Sequence, residues 1–199
     1  MKIRMPGTGC PESKRLYVNT RTPPGDEELF LNVRDGDLSA FEEIVRRYQR
    51  SAWNTAYRFL NNHEEAEEIV QDTFLRIFDA APRYRPTASF RTYFFSVLTR
   101  LCLNSVRKHK PEAEVPAEAT DPAPDAAEQL MSAERRRAVR AAIGELPTTQ
   151  RMAVVLRYYE GMGYSEIAAA LLITEKAAER LLARGRDALR ATLPEWLEK

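Results

Sequence analysis

Acid is missing from one stretch of this chain. Between Tyr84 and Lys110 there is no Asp or Glu, although the 199-residue protein carries 29 of them against 30 Lys and Arg. Two cysteines, Cys10 and Cys102, and two histidines, His63 and His109, are the whole inventory of soft ligands. That inventory excludes a zinc site and a disulfide framework. A glycine-rich phosphate loop, a GxSxG elbow and an HExxH helix are also missing, so no catalytic residue, metal or cofactor is expected. No apolar run approaches the ~18 residues of a membrane span, which excludes membrane insertion. The start, with Pro6, Gly7, Gly9 and Pro11, lacks the apolar segment of a secretory signal, and a cytoplasmic protein is expected.

The acid-free stretch is filled with rings and cations. It holds five aromatics before Ser96 and six Lys or Arg in total. Single-stranded nucleic acid requires this combination, because cations track phosphates and flat rings stack on unpaired bases for about 1–3 kcal/mol each. Phe90, Phe94, Val97, Leu98 and Leu101 recur at helical spacing and read as an ordinary buried face. Tyr84, Tyr93 and Phe95 point elsewhere, and with the loop at 83–86 they are the candidates for touching bases.

The rest of the chain reads as an all-α protein of two small helical domains. Residues 1–25 carry Gly, Pro, Thr and Lys/Arg without periodicity, as a flexible arm does. A first helix opens on Asp26, Glu27 and Glu28, whose charge suits the helix dipole. A second runs from Leu38 to Leu60, with Phe41, Ile44, Val45, Tyr48, Ala52 and Ala56 on its inner face. A third follows Asn62 as cap, with Glu65 placed for a capping box and Ile69, Val70, Phe74, Ile77 and Phe78 inward. Its other face is polar, carrying Glu64, Glu67, Glu68, Gln71 and Asp72. The basic aromatic helix starts after Ser89 and completes a domain over 26–110.

From 111 to 133 the chain has six acids, four prolines and no Lys or Arg, which predicts an extended, flexible acidic linker. The last domain, 134–199, begins with a helix stopped by Pro147 and a second capped by Thr148, running to about Glu160 and Gly161. Then come a short helix with Ile167, Ala170 and Leu171 inward, a turn at Leu172 and Ile173, and a basic helix opened by Thr174. This is a helix-turn-helix. In a major groove Arg180 and Arg184 can bond guanine O6 and N7, and Glu179 can accept from a cytosine N4. Lys176 and Arg186 suit phosphates.

The ordered motifs resemble a known family. GlyAspLeuSerAlaPheGluGluIleValArgArgTyr, GluGluAlaGluGluIleValGlnAspThrPheLeuArgIlePhe and PheArgThrTyrPhe are similar to the first conserved domain of bacterial RNA polymerase sigma factors. GluLeuProThrThrGlnArg, TyrGluGlyMetGlyTyrSerGluIleAla and the helix after Thr174 are similar to their last domain. With two domains and a short linker the chain most resembles the extracytoplasmic-function (ECF) group. The resemblance implies a protein that binds core RNA polymerase and directs it to promoters. It implies that Glu67, Glu68, Gln71 and Asp72 face the clamp helices of the large subunit, and that the last domain rests on the flap. It implies that Tyr84, Arg85, Arg91, Tyr93, Phe95, Arg100, Arg107 and Lys108 melt and read the -10 element. It implies that Thr174, Lys176, Glu179, Arg180, Ala183, Arg184 and Arg186 read the -35 element. In the family the linker passes through a basic channel, which an acidic composition suits.

The chain departs from the family where Trp-Leu is common (Tyr93, Phe94), where Asn and Asp often follow (Arg100, Asn104), in the helix-turn-helix turn (Leu172) and at base-contact positions (Glu179, Ala183). The promoter sequences therefore do not carry over from a relative. Family members are often held by an anti-sigma factor; nothing in the sequence identifies one. Two other readings stand beside this one. A repressor or activator binding duplex DNA alone through the helix-turn-helix explains residues 134–193 but leaves the acid-free segment unexplained. An enzyme would need a buried carboxylate pair, for which Glu67 and Glu68 are poor candidates because neighbours on a helix point apart.

Overall fold

The structure, a computed structural model, describes the backbone of residues 24–108 and 126–193 and the side chains of 24–108 and 134–193. The expected flexible arm, apart from its last two residues, and the linker from 111 to 125 lie outside the described residues. Among those described there are eight α-helices and no strand: α1 (Asp26–Arg34), α2 (Leu38–Leu60), α3 (His63–Ala80), α4 (Phe90–Lys108), α5 (Ala126–Glu145), α6 (Thr148–Tyr158), α7 (Tyr164–Leu171) and α8 (Glu175–Thr192).

Local chemistry sets the helix ends. The Asp37 carboxylate accepts the Ser39 and Ala40 N–H groups and starts α2, while Asn62 Oδ1 accepts the Glu65 N–H at 3.0 Å and starts α3. Asn61 ends α2 in the left-handed region at φ 57°. The start of α4 is held twice, by Ser89 Oγ accepting the Thr92 N–H and by Glu27 of α1 accepting the Phe90 N–H at 2.8 Å. Two expectations change. Pro147, not Thr148, occupies the cap position of α6. Helix α5 begins at Ala126, so the last eight residues of the expected extended linker are helical; Ala126, Ala127, Glu128, Gln129, Leu130 and Met131 are all good helix formers.

Helices α1 to α4 wrap a ring-rich interior. Phe30, Phe59, Phe90, Phe94 and Phe95 are fully buried, each contributing about 1.5–3 kcal/mol relative to exposure. Tyr48 packs on Phe94 and Phe90 at centroid distances of 4.6 and 5.4 Å, and its hydroxyl donates to Asp26 Oδ2 at 2.6 Å. Arg47 donates to the same carboxylate at 2.7 Å, so α1 is pinned to α2 through Asp26. Cys102 is buried in α4, where desolvation pushes its thiol up and leaves it protonated.

Helices α6, α7 and α8 form the helix-turn-helix unit, and α5 precedes it. Gly185 lets α8 pass close over α6: a Cβ there would stand 2.8 Å from Val154 Cγ2. The turn between α7 and α8 closes by Ile173 N–H to Ala168 O at 3.0 Å and Leu172 N–H to Ala169 O at 3.3 Å, the Schellman pattern. Leu172 occupies the left-handed position usually given to glycine, at φ 56° and 74% exposed. The two halves are not beads on a string. They share one hydrophobic core, with α7 lying on α4 and α6 on α2.

Candidate nucleic-acid interface

The acid-free segment does build a cavity. Between the end of α3, the loop at 84–89 and α4 lies a space of about 330 Å³, lined by Arg83, Tyr84, Arg85, Thr87, Thr92, Tyr93 and Ser96, with Ala169 of α7 on one wall. Arg83 and Arg85 are exposed beside it. Tyr84 is only 7% exposed, its ring edge-on to Phe30 at 4.7 Å and 5.2 Å from Tyr93. Its buried hydroxyl has no hydrogen-bond partner among the described residues. Burial raises the pKa of both tyrosines, with Glu27 and Tyr93 adding to the effect at Tyr84, so both stay protonated donors at neutral pH.

The expected contacts therefore separate into three groups. Tyr84, Arg85 and Tyr93 meet at the cavity. Arg100, Arg107 and Lys108 are exposed further along α4 and line no part of it. Arg91 and Phe95 share a face one helical turn apart, with the guanidinium 5.1 Å from the ring centroid. Phe95 corrects the sequence reading, since it is fully buried and no base can stack on it in this arrangement. Tyr84 is corrected in part: its ring is packed inside, and only the hydroxyl is unused. Thr92 and Ser96 were missed as lining residues because hydroxyls on a helix carry no periodic signal.

On α8, Lys176, Glu179, Arg180 and Arg184 are exposed and Ala183 is half-buried. Their spacing places them on one side of the helix. Thr174 is also exposed, and its hydroxyl accepts the Ala177 N–H at 3.2 Å as the N-cap. Arg186 is half-buried. The nearby Tyr158 and Tyr164 hydroxyls raise its pKa.

The polar face of α3 presents Glu67, Glu68, Gln71 and Asp72 to solvent as expected. It continues into an apolar end. Leu75 is 62% exposed, and Phe78, expected in the core, is 39% exposed and packs on Phe41 at 4.9 Å. Leu38 is exposed as well.

Comparisons with known proteins bear on both halves. The family described as Sigma-70 region 2 matches residues 44–112, and Sigma-70, region 4 matches 136–189. The chain is 35% identical over 182 residues to the ECF RNA polymerase sigma factor SigE of Mycolicibacterium smegmatis, covering 84% of this chain and 68% of that one. It is 30% identical to the ECF RNA polymerase sigma factor SigW of Bacillus subtilis, covering 81% of this chain and 92% of that one. Among solved structures it is similar to CnrH in complex with the cytosolic domain of CnrY, with a TM-score of 0.65, 25% identity, and coverage of 83% and 95%. The fold is shared with the sigma factor RpoE from Bartonella quintana, solved with the anti-sigma factor NepR, at a TM-score of 0.62, 19% identity, and coverage of 76% and 95%.

Proposed function

Because this chain belongs to the ECF group of RNA polymerase sigma factors, and is an alternative sigma factor that directs promoter recognition rather than a stand-alone regulator, we propose the following division of labour among its residues. The unit over 26–110 holds the -10 element as an unpaired strand. One base enters the cavity beside Tyr84 and Tyr93, while Arg85, Arg100, Arg107 and Lys108 follow the phosphates. The observation that carries this is the cavity itself. It sits in the longest segment without acid, beside two exposed arginines, and Tyr84 brings it a buried hydroxyl without a partner among the described residues.

Helix α8 reads the -35 element in the major groove. Arg180 and Arg184 take guanine edges, Glu179 a cytosine amine, and Lys176 a phosphate. Thr174 contributes by fixing the helix start. Ala183 stands between the two arginine turns and lets the helix approach closely. Arg186, half-buried behind that face, holds a phosphate at its edge. The exposed face of α3 docks on the clamp helices of the polymerase large subunit, with Glu67, Glu68, Gln71 and Asp72 providing charge and Leu75 and Phe78 an apolar anchor. The last unit rests on the flap, and the protein works with the polymerase in the cytoplasm. An anti-sigma factor completes the set of partners, in keeping with the bound partner of RpoE.

In vitro transcription tests the assignment. Purified protein is added to bacterial core polymerase, starts are selected from a genomic fragment library, and Tyr93→Ala is compared with the parent. Starts sharing two upstream elements, with Tyr93→Ala losing promoter opening but keeping core binding, are expected. Unimpaired opening by Tyr93→Ala would remove the cavity from the mechanism.

A further inference from the structure

Helix α1 lines no part of the cavity, yet it holds both ends of the loop that shapes it. At the start of the loop, Phe30 meets the Tyr84 ring edge-on at 4.7 Å. At its end, Glu27 Oε1 accepts the Phe90 N–H at 2.8 Å, and Phe30 packs on the Phe90 ring at 4.6 Å. Tyr93, one turn into α4, lies 6.2 Å from the same Phe30 ring. Phe30 is fully buried, whereas Arg85 and Thr87 between these anchors are exposed.

The Glu27 contact is not a local cap. The first turn of a helix leaves N–H groups that its own carbonyls cannot reach. Ser89, immediately before α4, serves the third of them by accepting the Thr92 N–H at 3.2 Å. The first, on Phe90, takes its acceptor from a residue 63 positions away. Asp26, beside Glu27, turns instead to α2, where Arg47 and Tyr48 donate to it. Two adjacent acids thus tie α1 to two different helices. Helix α1 also precedes the segment matched to Sigma-70 region 2, which begins at residue 44, so this support comes from outside the matched segment.

We infer that Glu27 is a positioning residue for the -10 base: by fixing where α4 begins, it sets how Tyr93 stands against Tyr84, and so the width of the cavity, without touching DNA itself. The inference rests on the cavity being the base site, as assigned above. A loop at 84–89 anchored at one end only would have to be ordered when the base arrives, and that ordering opposes binding. Anchored at both ends by α1, the cavity is formed before the base enters.

The test uses the holoenzyme, assembled from the full chain and core polymerase, on a fork duplex whose unpaired -10 strand carries the sequence obtained from the mapped starts. An abasic sugar replaces each -10 nucleotide in turn, and affinity is read by fluorescence anisotropy. For the parent, one position is expected to cost about tenfold, the loss of one stacked base. Glu27→Gln keeps an acceptor oxygen, Glu27→Asp keeps the charge but draws it back by one methylene, and Glu27→Ala removes both. The cost at that position should persist in Glu27→Gln and shrink to about twofold or less in Glu27→Asp and Glu27→Ala, with core affinity and the cost at every other position unchanged. Should Glu27→Ala melt, the Gln and Asp variants decide between them. A full cost retained by Glu27→Asp would overturn the inference, and so would a loss of affinity spread evenly over all positions, which is the mark of a general fold effect. If the parent itself shows no position-specific cost, the base-site assignment falls and the inference falls with it.

Discussion

Replacing Tyr84 by Phe separates the cost of the cavity from its use. The ring is held by Phe30 edge-on at 4.7 Å and by Tyr93 at 5.2 Å, and Phe preserves that packing. Only the hydroxyl is lost, and it is buried without a partner among the described residues. A buried polar group left unpaired costs about 1–3 kcal/mol. Tyr84→Phe should therefore stabilise the free protein by about 1 kcal/mol, which for a chain of this size raises Tm by about 2–4 °C. With DNA bound the sign reverses. If the hydroxyl bonds a base, its loss removes about 0.5–1.5 kcal/mol, so affinity for a -10 single strand should fall about two- to twelvefold. Thermal melting and anisotropy read the two effects separately. A variant that melts lower than the parent would mean that the hydroxyl already has a partner, and the reasoning would fail at its first step.

Other substitutions probe the remaining elements. Arg180→Ala should cost about 1–3 kcal/mol of discrimination at one -35 base pair, whereas Lys176→Ala should weaken all duplexes alike and lower the salt slope by about one unit; binding of matched and mismatched -35 duplexes by the polymerase holoenzyme distinguishes them. Gly185→Ala gains about 1 kcal/mol of helix propensity but pushes a methyl to 2.8 Å from Val154 Cγ2. Val154 is buried and stiff at χ1, so overpacking of about 1–3 kcal/mol should win and Tm should fall. Asp37 has its carboxyl held below the ordinary carboxylate range, first by the Ser39 hydroxyl and then by the Ala40 N–H. A depressed folded pKa gives stability that is complete above the unfolded value of about 3.9 and lost as pH falls through the lower folded value. Asp37→Asn should flatten acid-induced melting in that window.

What the sequence disclosed was mostly local. Leu38 and Leu60 bound α2 as the periodicity implies, Asn62 caps α3, and Leu172 sits in the left-handed turn where its strain was foreseeable. Each of these is decided within a few residues, by side-chain spacing or by one backbone hydrogen bond. Phe95 and Phe78 were misplaced for the opposite reason. Phe95 lies off the main apolar stripe of α4, on the face it shares with Arg91, whose guanidinium meets Glu160 of the second half; Phe78 continues the stripe of α3 by spacing, yet packs on Phe41 and stays 39% exposed. Glu160 could not be found at all, because its partners Ser51 and Thr55 lie more than a hundred positions away and a single Glu after a helix has no signature.

The absence of acid from α4 takes on a second meaning once those distant contacts are known. A segment shaped for phosphates and bases cannot supply its own counter-charge, since an Asp or Glu within it would repel the strand it binds. In the structure that charge comes from outside the segment. Glu27 caps its start, and Glu160 and Glu166 accept from Arg91 and Thr92. Glu27 lies on α1, Glu160 just beyond α6 and Glu166 on α7, so two of the three belong to the second half. A carboxylate accepting from an arginine makes the same charge-assisted hydrogen bond as a phosphate oxygen would, so acids contributed from outside satisfy α4 without placing a charge that repels phosphates within the segment itself.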